Sequence, residues 1–205
     1  MACKGGVQAS LSTSRFQFFQ AHSIRKMNTS PASAAGILFV NCYPNPTHYL
    51  AGYQPKRGGI TGIGGKKEEG DGSAYHTAIR EMLEELLGIH DARWHQYVLR
   101  VLQERYKPCC TMTSASYTTY VLTFKDMLAI MHDVKHEFSK YNCIFSTIYT
   151  RNLPETLEDV LFNRKPSPSD EVKELAVLPL RCPIVVLDEL NEDTLLLCYS
   201  EEGGC

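Results

Sequence analysis

Glu81, Glu84 and Glu85 stand at i, i+3 and i+4, the spacing that places side chains on one face of a helix. Three carboxylates so placed repel one another unless a cation neutralises them, and Arg80 beside them supplies one positive charge. A hard divalent ion such as Mg²⁺ takes oxygen ligands and commonly works on phosphates. Directly upstream runs Gly62-Ile63-Gly64-Gly65-Lys66-Lys67-Glu68-Glu69-Gly70-Asp71, whose glycines let backbone groups approach a ligand closely. An isolated E-x-x-E-E reads as a solvated helix face. Joined to this glycine-rich turn, it points to metal-assisted phosphate chemistry.

The stretch 62–89 resembles a Nudix box, whose pattern is G-x5-E-x7-R-E-U-x-E-E-x-G-U with U apolar. Gly65 and the run Arg80-Glu81-Met82-Leu83-Glu84-Glu85 match. Asp71 stands where the family has Glu, eight residues rather than seven separate it from Arg80, and Leu86-Leu87 stands where one residue precedes the glycine, Gly88. The resemblance implies an α/β (α+β) fold, with a mixed sheet between helices as an α/β/α sandwich. It also implies a hydrolase that cuts the diphosphate linkage of a nucleoside diphosphate joined to another group, with Mg²⁺ (or Mn²⁺) as cofactor.

Carried over by position, Glu81, Glu84 and Glu85 match the metal ligands, with a backbone carbonyl at Gly64 or Gly65 as a further donor. Arg80 matches the box arginine, expected to orient a glutamate through a salt bridge, and Asp71 becomes a weaker contact. Family members often take a general base from outside the box. Glu171, in Ser169-Asp170-Glu171-Val172-Lys173-Glu174-Leu175, is the candidate, with Glu174 and Glu104 behind it. Lys66 and Lys67 are candidates for substrate phosphate. Tyr106 lies seventeen residues after Ile89, where dinucleoside-polyphosphate hydrolases of the family carry a tyrosine, and base stacking is a sensible use for it or Tyr117.

The box sets the reaction and leaves the substrate open. The leading expectation is a pyrophosphohydrolase of a nucleotide or nucleotide derivative. RNA 5′-cap (m⁷G) hydrolysis is an alternative, since the N-terminal half is basic, with its first acidic residue at Glu68, and the segment 125–165 could help form an RNA channel. A binding module that kept the fold and lost activity is the second alternative.

Elements must position these groups. The spacing predicts a strand at 34–40, ended by Tyr43-Pro44-Asn45-Pro46, and a hairpin partner at 48–53. A helix follows from Asp71 or Ser73 as cap to about Leu87, with Gly88 closing it. Ala74, Ala78, Met82 and Leu86, with Ile79, Leu83 and Leu87, give it an apolar stripe and leave the carboxylates on the open side. Strands are expected at 97–105, 116–124, 143–149 and 175–180, and helices at 125–138 and 154–162. A loop is expected at 163–169, and a turn or helix start at 187–190. His132 and His136 have zinc-helix spacing, but they flank a buried stripe and no third ligand is evident.

The chain of 205 residues, with 43% apolar and 21% charged residues, suits one globular domain. That domain is expected over 34–200, after an extension at 1–33 that is flexible or in which 16–19 adds a short strand or covers an edge, and before a tail at 201–205. Net charge is −2, which excludes a strongly basic nucleic-acid binder. Eight cysteines without a C-x-x-C pair, and no apolar run of membrane length, predict reduced thiols in a cytoplasmic protein that binds no membrane. Mitochondrial import is a lesser alternative, on the Ser/Ala-rich, acid-free extension. Oligomeric state is not legible.

Overall fold

A computed structural model of the chain describes residues 32–56, 59–90, 92–114, 116–140, 148–149 and 153–180, the backbone alone at 92–97 and 138–140. The expected strand at 16–19, most of that at 143–149, the element at 187–190 and the tail lie outside them.

Among the described residues eleven elements follow in order: β1 (Ala34–Val40), β2 (His48–Gln54), β3 (Gly59–Thr61), β4 (Ile63–Lys66), α1 (Ala74–Leu87), α2 (Ala92–Arg105), β5 (Cys110–Thr113), β6 (Tyr117–Thr123), α3 (Phe124–Lys140), α4 (Leu157–Phe162) and β7 (Glu174–Pro179). The α+β class is as expected. The strands form one seven-stranded mixed sheet in which β1 and β6 are parallel and the other pairs antiparallel.

The expected hairpin of β1 and β2 is mostly not a hairpin. They pair at Val40 and Tyr49 alone. Before that point β1 is taken by β4, with Gly36 opposite Gly64 and Ala35 opposite Gly65, while β2 pairs with β7 on one side and β3 on the other. The sheet therefore forks, and the glycine-rich stretch that reads as a turn supplies two short strands inside the fork. Close approach requires the glycines: a Cβ at Gly64 would lie 2.4 Å from the Gly36 Cα and 2.3 Å from the Tyr117 hydroxyl.

Helix α1 covers one face of the sheet. Its stripe Ala78, Ile79, Met82, Leu83, Leu86 and Leu87 is buried against Ala35, Ile37, Phe39, Leu50 and Ile63. The same cluster takes in Val98, Leu99 and Leu102 of α2, Met127, Ile130, Met131 and Val134 of α3, and Val160 of α4. Thus α3 and α4, within the segment 125–165, are core elements. Each Leu or Ile so buried contributes about 1.5–3 kcal/mol. On the other face Leu38, Val40, Tyr49, Ala51 and Val121 form a separate cluster that includes no described helix residue.

The segment 97–105 is the helical end of α2, not a strand. Val98, Leu99 and Leu102 are buried while Arg100 is exposed, a period of about 3.6 that a short, nearly continuous apolar run disguises. Its end is tied to α3: Asp133 accepts from the Tyr106 hydroxyl (2.9 Å) and from Arg105 (2.8 Å). Burial pushes the Asp133 carboxyl up, but these donors and the Arg105 charge hold it below its ordinary value. A depressed pKa adds stability above the unfolded value, near 3.9, and that stability is lost as pH falls through the folded one. Asp133→Asn should lower the thermal midpoint at pH 7 by a few degrees. The gap from wild type should close as pH falls below the ordinary carboxylate value and through the lowered folded one, which thermal melts across pH will check.

Candidate active site

Arg80 is the hub of the site. Its side chain is 6% exposed, on a helix whose N-terminus is capped by Ser73 accepting from His76 N–H and whose C-terminus is closed by left-handed Gly88. Gly88 N–H donates to Glu84 O, the bond of an αL cap, and Ile89 N–H donates to Leu83 O. The guanidinium donates to both Asp71 carboxylate oxygens (3.1–3.3 Å), to Glu84 Oε2 (3.2 Å) and to the Lys66 carbonyl (2.8 Å). Glu81 Oε1 lies 2.9 Å away and Glu68 Oε1 3.5 Å. Burial lowers the proton affinity of Arg80, but Asp71, Glu81 and Glu84 raise it further, so the charge is fixed.

Asp71 is a brace. It is 6% exposed, accepts from Glu68 N–H at 2.9 Å and grips Arg80. Burial would raise its pKa, but the hydrogen bonds from Arg80 and Glu68 hold it low. The shorter Asp therefore closes the turn 68–71 and locks it to α1, in place of the weak metal contact expected of it.

Glu85, expected on the open side of α1, is 8% exposed. One carboxylate oxygen accepts from Gln54 Nε2 (3.0 Å) and the other from Gly64 N–H (2.7 Å). Glu85 thus stitches β2 to β4 across the fork. Glu81 and Glu84 keep side-chain exposures of 14% and 24%. A Cβ at Gly65 would lie 2.5–2.6 Å from the Glu81 carboxyl atoms, so that carboxylate rests directly on the Gly65 backbone. Gly65→Ala should displace it, cutting the turnover proposed below by about 10²-fold. The unfolding midpoint should move little, because only a side-chain end must give way; parallel kinetics and melts read both.

Burial raises the proton affinity of Glu81, and Glu84 and Glu171 raise it further against the opposing effect of Arg80. One arginine therefore does not neutralise this cluster. Glu171 itself is exposed, in the segment between α4 and β7. Two residues that hold Glu85 were not singled out from sequence. Gln54 is 3% exposed, and its signal is a polar residue in register with the inward Leu50 and Gly52. Arg164, in an expected loop, donates to the Glu85 carbonyl at 2.7 Å.

Other candidates are placed differently. Tyr106 donates its hydroxyl to Asp133, accepts from the Tyr75 hydroxyl at its carbonyl (2.7 Å) and packs against the core. That is a structural assignment, and base stacking is dropped for it. Lys66 and Lys67 are exposed next to the cluster. Glu104 is exposed on helix α2, and Glu174 is exposed on β7 opposite Tyr53. His132 and His136 have side chains 80% and 58% exposed.

Among the described residues no group of three or more His, Cys, Asp or Glu side chains is already arranged to hold a metal ion. Glu85 is turned to Gly64 and Gln54, and Glu84 to Arg80. The donor chemistry still fits a hard cation: Glu81 and Glu84 offer carboxylate oxygens, a carboxylate that accepts two hydrogen bonds keeps further lone pairs, and Gly65 brings backbone against Glu81. Oxygen donors with an excess of negative charge select Mg²⁺-like ions over zinc. No protein-family model matches this chain, and no curated protein is found similar to it.

Proposed function

We propose that the chain is a Nudix-type, divalent-metal-dependent pyrophosphohydrolase acting on a nucleotide or nucleotide derivative in which a nucleoside diphosphate is linked to another group. The observation that carries this reading is the over-charged edge of α1: Glu81, Glu84 and Glu85 beside the backbone of Gly64 and Gly65, with Arg80 as the inner counter-charge. Mg²⁺ or Mn²⁺ would be held by Glu81 and Glu84, with Glu85 and the Gly65 carbonyl completing the oxygen set. The chemistry such an ion supplies is neutralisation of pyrophosphate charge and an easier deprotonation of the attacking water.

The protein's own share is positional. Arg80 fixes the rotamers of Glu81 and Glu84, and Glu85 locks α1 to β2 and β4. Glu171, close enough to Glu81 to influence its charge, is the base candidate. Lys66 and Lys67 face solvent where an incoming phosphate would meet positive charge. Placement in a reducing cytoplasmic compartment goes with this reading, on eight scattered cysteines without a C-x-x-C pair. Among the described residues no helix is long and apolar enough to cross a membrane.

The test is a panel of nucleoside-diphosphate derivatives and m⁷G-capped RNA, each with Mg²⁺ or Mn²⁺, with products resolved by chromatography. Cleavage between two phosphates of a free nucleotide is the expected result. Release of m⁷GDP from capped RNA alone would replace the small-molecule substrate by RNA. Metal-dependent binding without cleavage would make the chain a binding module.

A further inference from the structure

The Nη2 nitrogen of Arg164 forks between two carbonyls: Glu85 O on α1 at 2.7 Å, and Val172 O at 3.3 Å, one residue past Glu171. The backbone of Arg164 is itself anchored. It bridges to Tyr149, and the next residue, Lys165, donates to Ile148 O at 2.7 Å. Ile148 N–H in turn donates to the Leu87 carbonyl at the C-terminus of α1 (3.1 Å). The far side of the segment is seated on the fork. Val172 is fully buried against Gly52, where a Cβ would lie 2.8 Å from its Cγ1, and Lys173 N–H donates to Tyr53 O at 2.9 Å. Two residues along β2 from Gly52, Gln54 holds the Glu85 carboxylate. Glu171 thus sits on a short arm whose root is tied to the Glu85 main chain by one guanidinium and to β2 by Val172 and Lys173.

We propose that Arg164 is a positioning residue that sets the distance between Glu171 and the α1 carboxylates by clamping the Val172 carbonyl to the Glu85 carbonyl. This rests on the hydrolase reading above, in which Glu171 acts on the attacking water. The two N–H bonds of one guanidinium nitrogen diverge in a fixed plane, which suits two carbonyls on different elements better than a freely rotating ammonium does. Its Nε and Nη1 are buried without a hydrogen-bond partner among the described residues, a cost a fold accepts more readily for a group with a positional task. A misplacement of about 1 Å is enough to lower turnover about 10²-fold.

The experiment is a double-mutant cycle of Arg164→Met and Glu171→Gln, read on kcat and KM with the best substrate from the panel, and on Mn²⁺ affinity by calorimetry. Each single variant should lower kcat by about 10–10²-fold with KM within a few-fold, and the double variant should be no slower than Glu171→Gln. Arg164→Lys, which keeps the charge and N–H donors on a shorter, freely rotating stem, should recover part of the loss; it also carries the cycle should Arg164→Met fail to fold. Multiplicative losses, or an Arg164→Met protein with unchanged kcat, overturn the proposal. A wild-type chain that turns over no probe sinks the hydrolase reading separately, and the Arg164–Glu171 coupling is then decided on Mn²⁺ affinity, where additive effects overturn it.

Discussion

Arg80→Met should destabilise the protein by about 3–5 kcal/mol, enough to consume most of the stability of an ordinary domain. Methionine matches the length of the arginine stem, so lost packing is not the main cause. The cost is the set of groups left behind. Asp71, buried on its turn, loses the bonds that hold its carboxyl ionised. The Lys66 carbonyl loses its 2.8 Å donor, and Glu81 and Glu84 lose the cation between them. Removing one member of a buried charged network costs more than the network is worth against an apolar replacement. Arg80→Lys should rescue only part of this, because one ammonium cannot reach Asp71, Glu84 and the Lys66 carbonyl together. Denaturant melts of the three proteins give the order: wild type, then lysine, then methionine. A lysine variant as stable as wild type would contradict the hub assignment.

The second large effect is on function. Glu81→Gln should lower turnover by about 10²–10³-fold while making the metal-free protein more stable. The sign follows from the raised proton affinity of Glu81, which burial causes first and which Glu84 and Glu171 reinforce. A carboxyl whose folded pKa is raised binds its proton more readily in the fold. The stability that proton brings is therefore lost as pH rises from the ordinary value through the folded one, and at neutral pH the ionised side chain is a net cost. Glutamine keeps the shape and cannot ionise. Because the side chain retains some exposure, solvent screens part of the cost, and a rise of a few degrees in the melting midpoint is the expected size. Greater stability with lost activity is the signature of a group strained for function. An inactive variant that is also less stable would assign Glu81 to structure.

The helical half of the site was legible because its signals are redundant. Ser73 and Gly88 cap α1, an apolar stripe orients it, and Arg80 to Glu85 follow in register. β1, β6, β7, α3 and α4 were legible from the same periodicities. The fork was not. β3 and β4 are built around Gly59, Gly62, Gly64 and Gly65, which have no side chain to alternate, and their strand character comes from what must approach them: Gly36, Tyr117 and the Glu81 carboxylate. α2 was misread because Tyr97, Leu99 and Val101 alternate within a short apolar run, while the buried set Val98, Leu99 and Leu102 has helical spacing. Asp71 stood out as a departure from the box, but its partnership with Arg80 depends on the turn 68–71 closing through Glu68 N–H. Gln54 and Arg164 bind α1 from segments 31 and 79 residues distant in sequence, and no local pattern announces contacts of that range.

The most direct test of the central claim is the rate of cleavage of a nucleoside-diphosphate substrate as Mg²⁺ or Mn²⁺ is titrated, in wild type and in Glu84→Gln. Glu84 carries carboxylate character at the cluster without the buried bridging role of Glu85, so the variant should fold. A wild-type rate that rises with metal and saturates, with a Glu84→Gln rate at least about 10²-fold lower at an unchanged melting midpoint, is the predicted result. Metal-independent cleavage, or equal rates in the two proteins, would contradict a pyrophosphatase centre on α1.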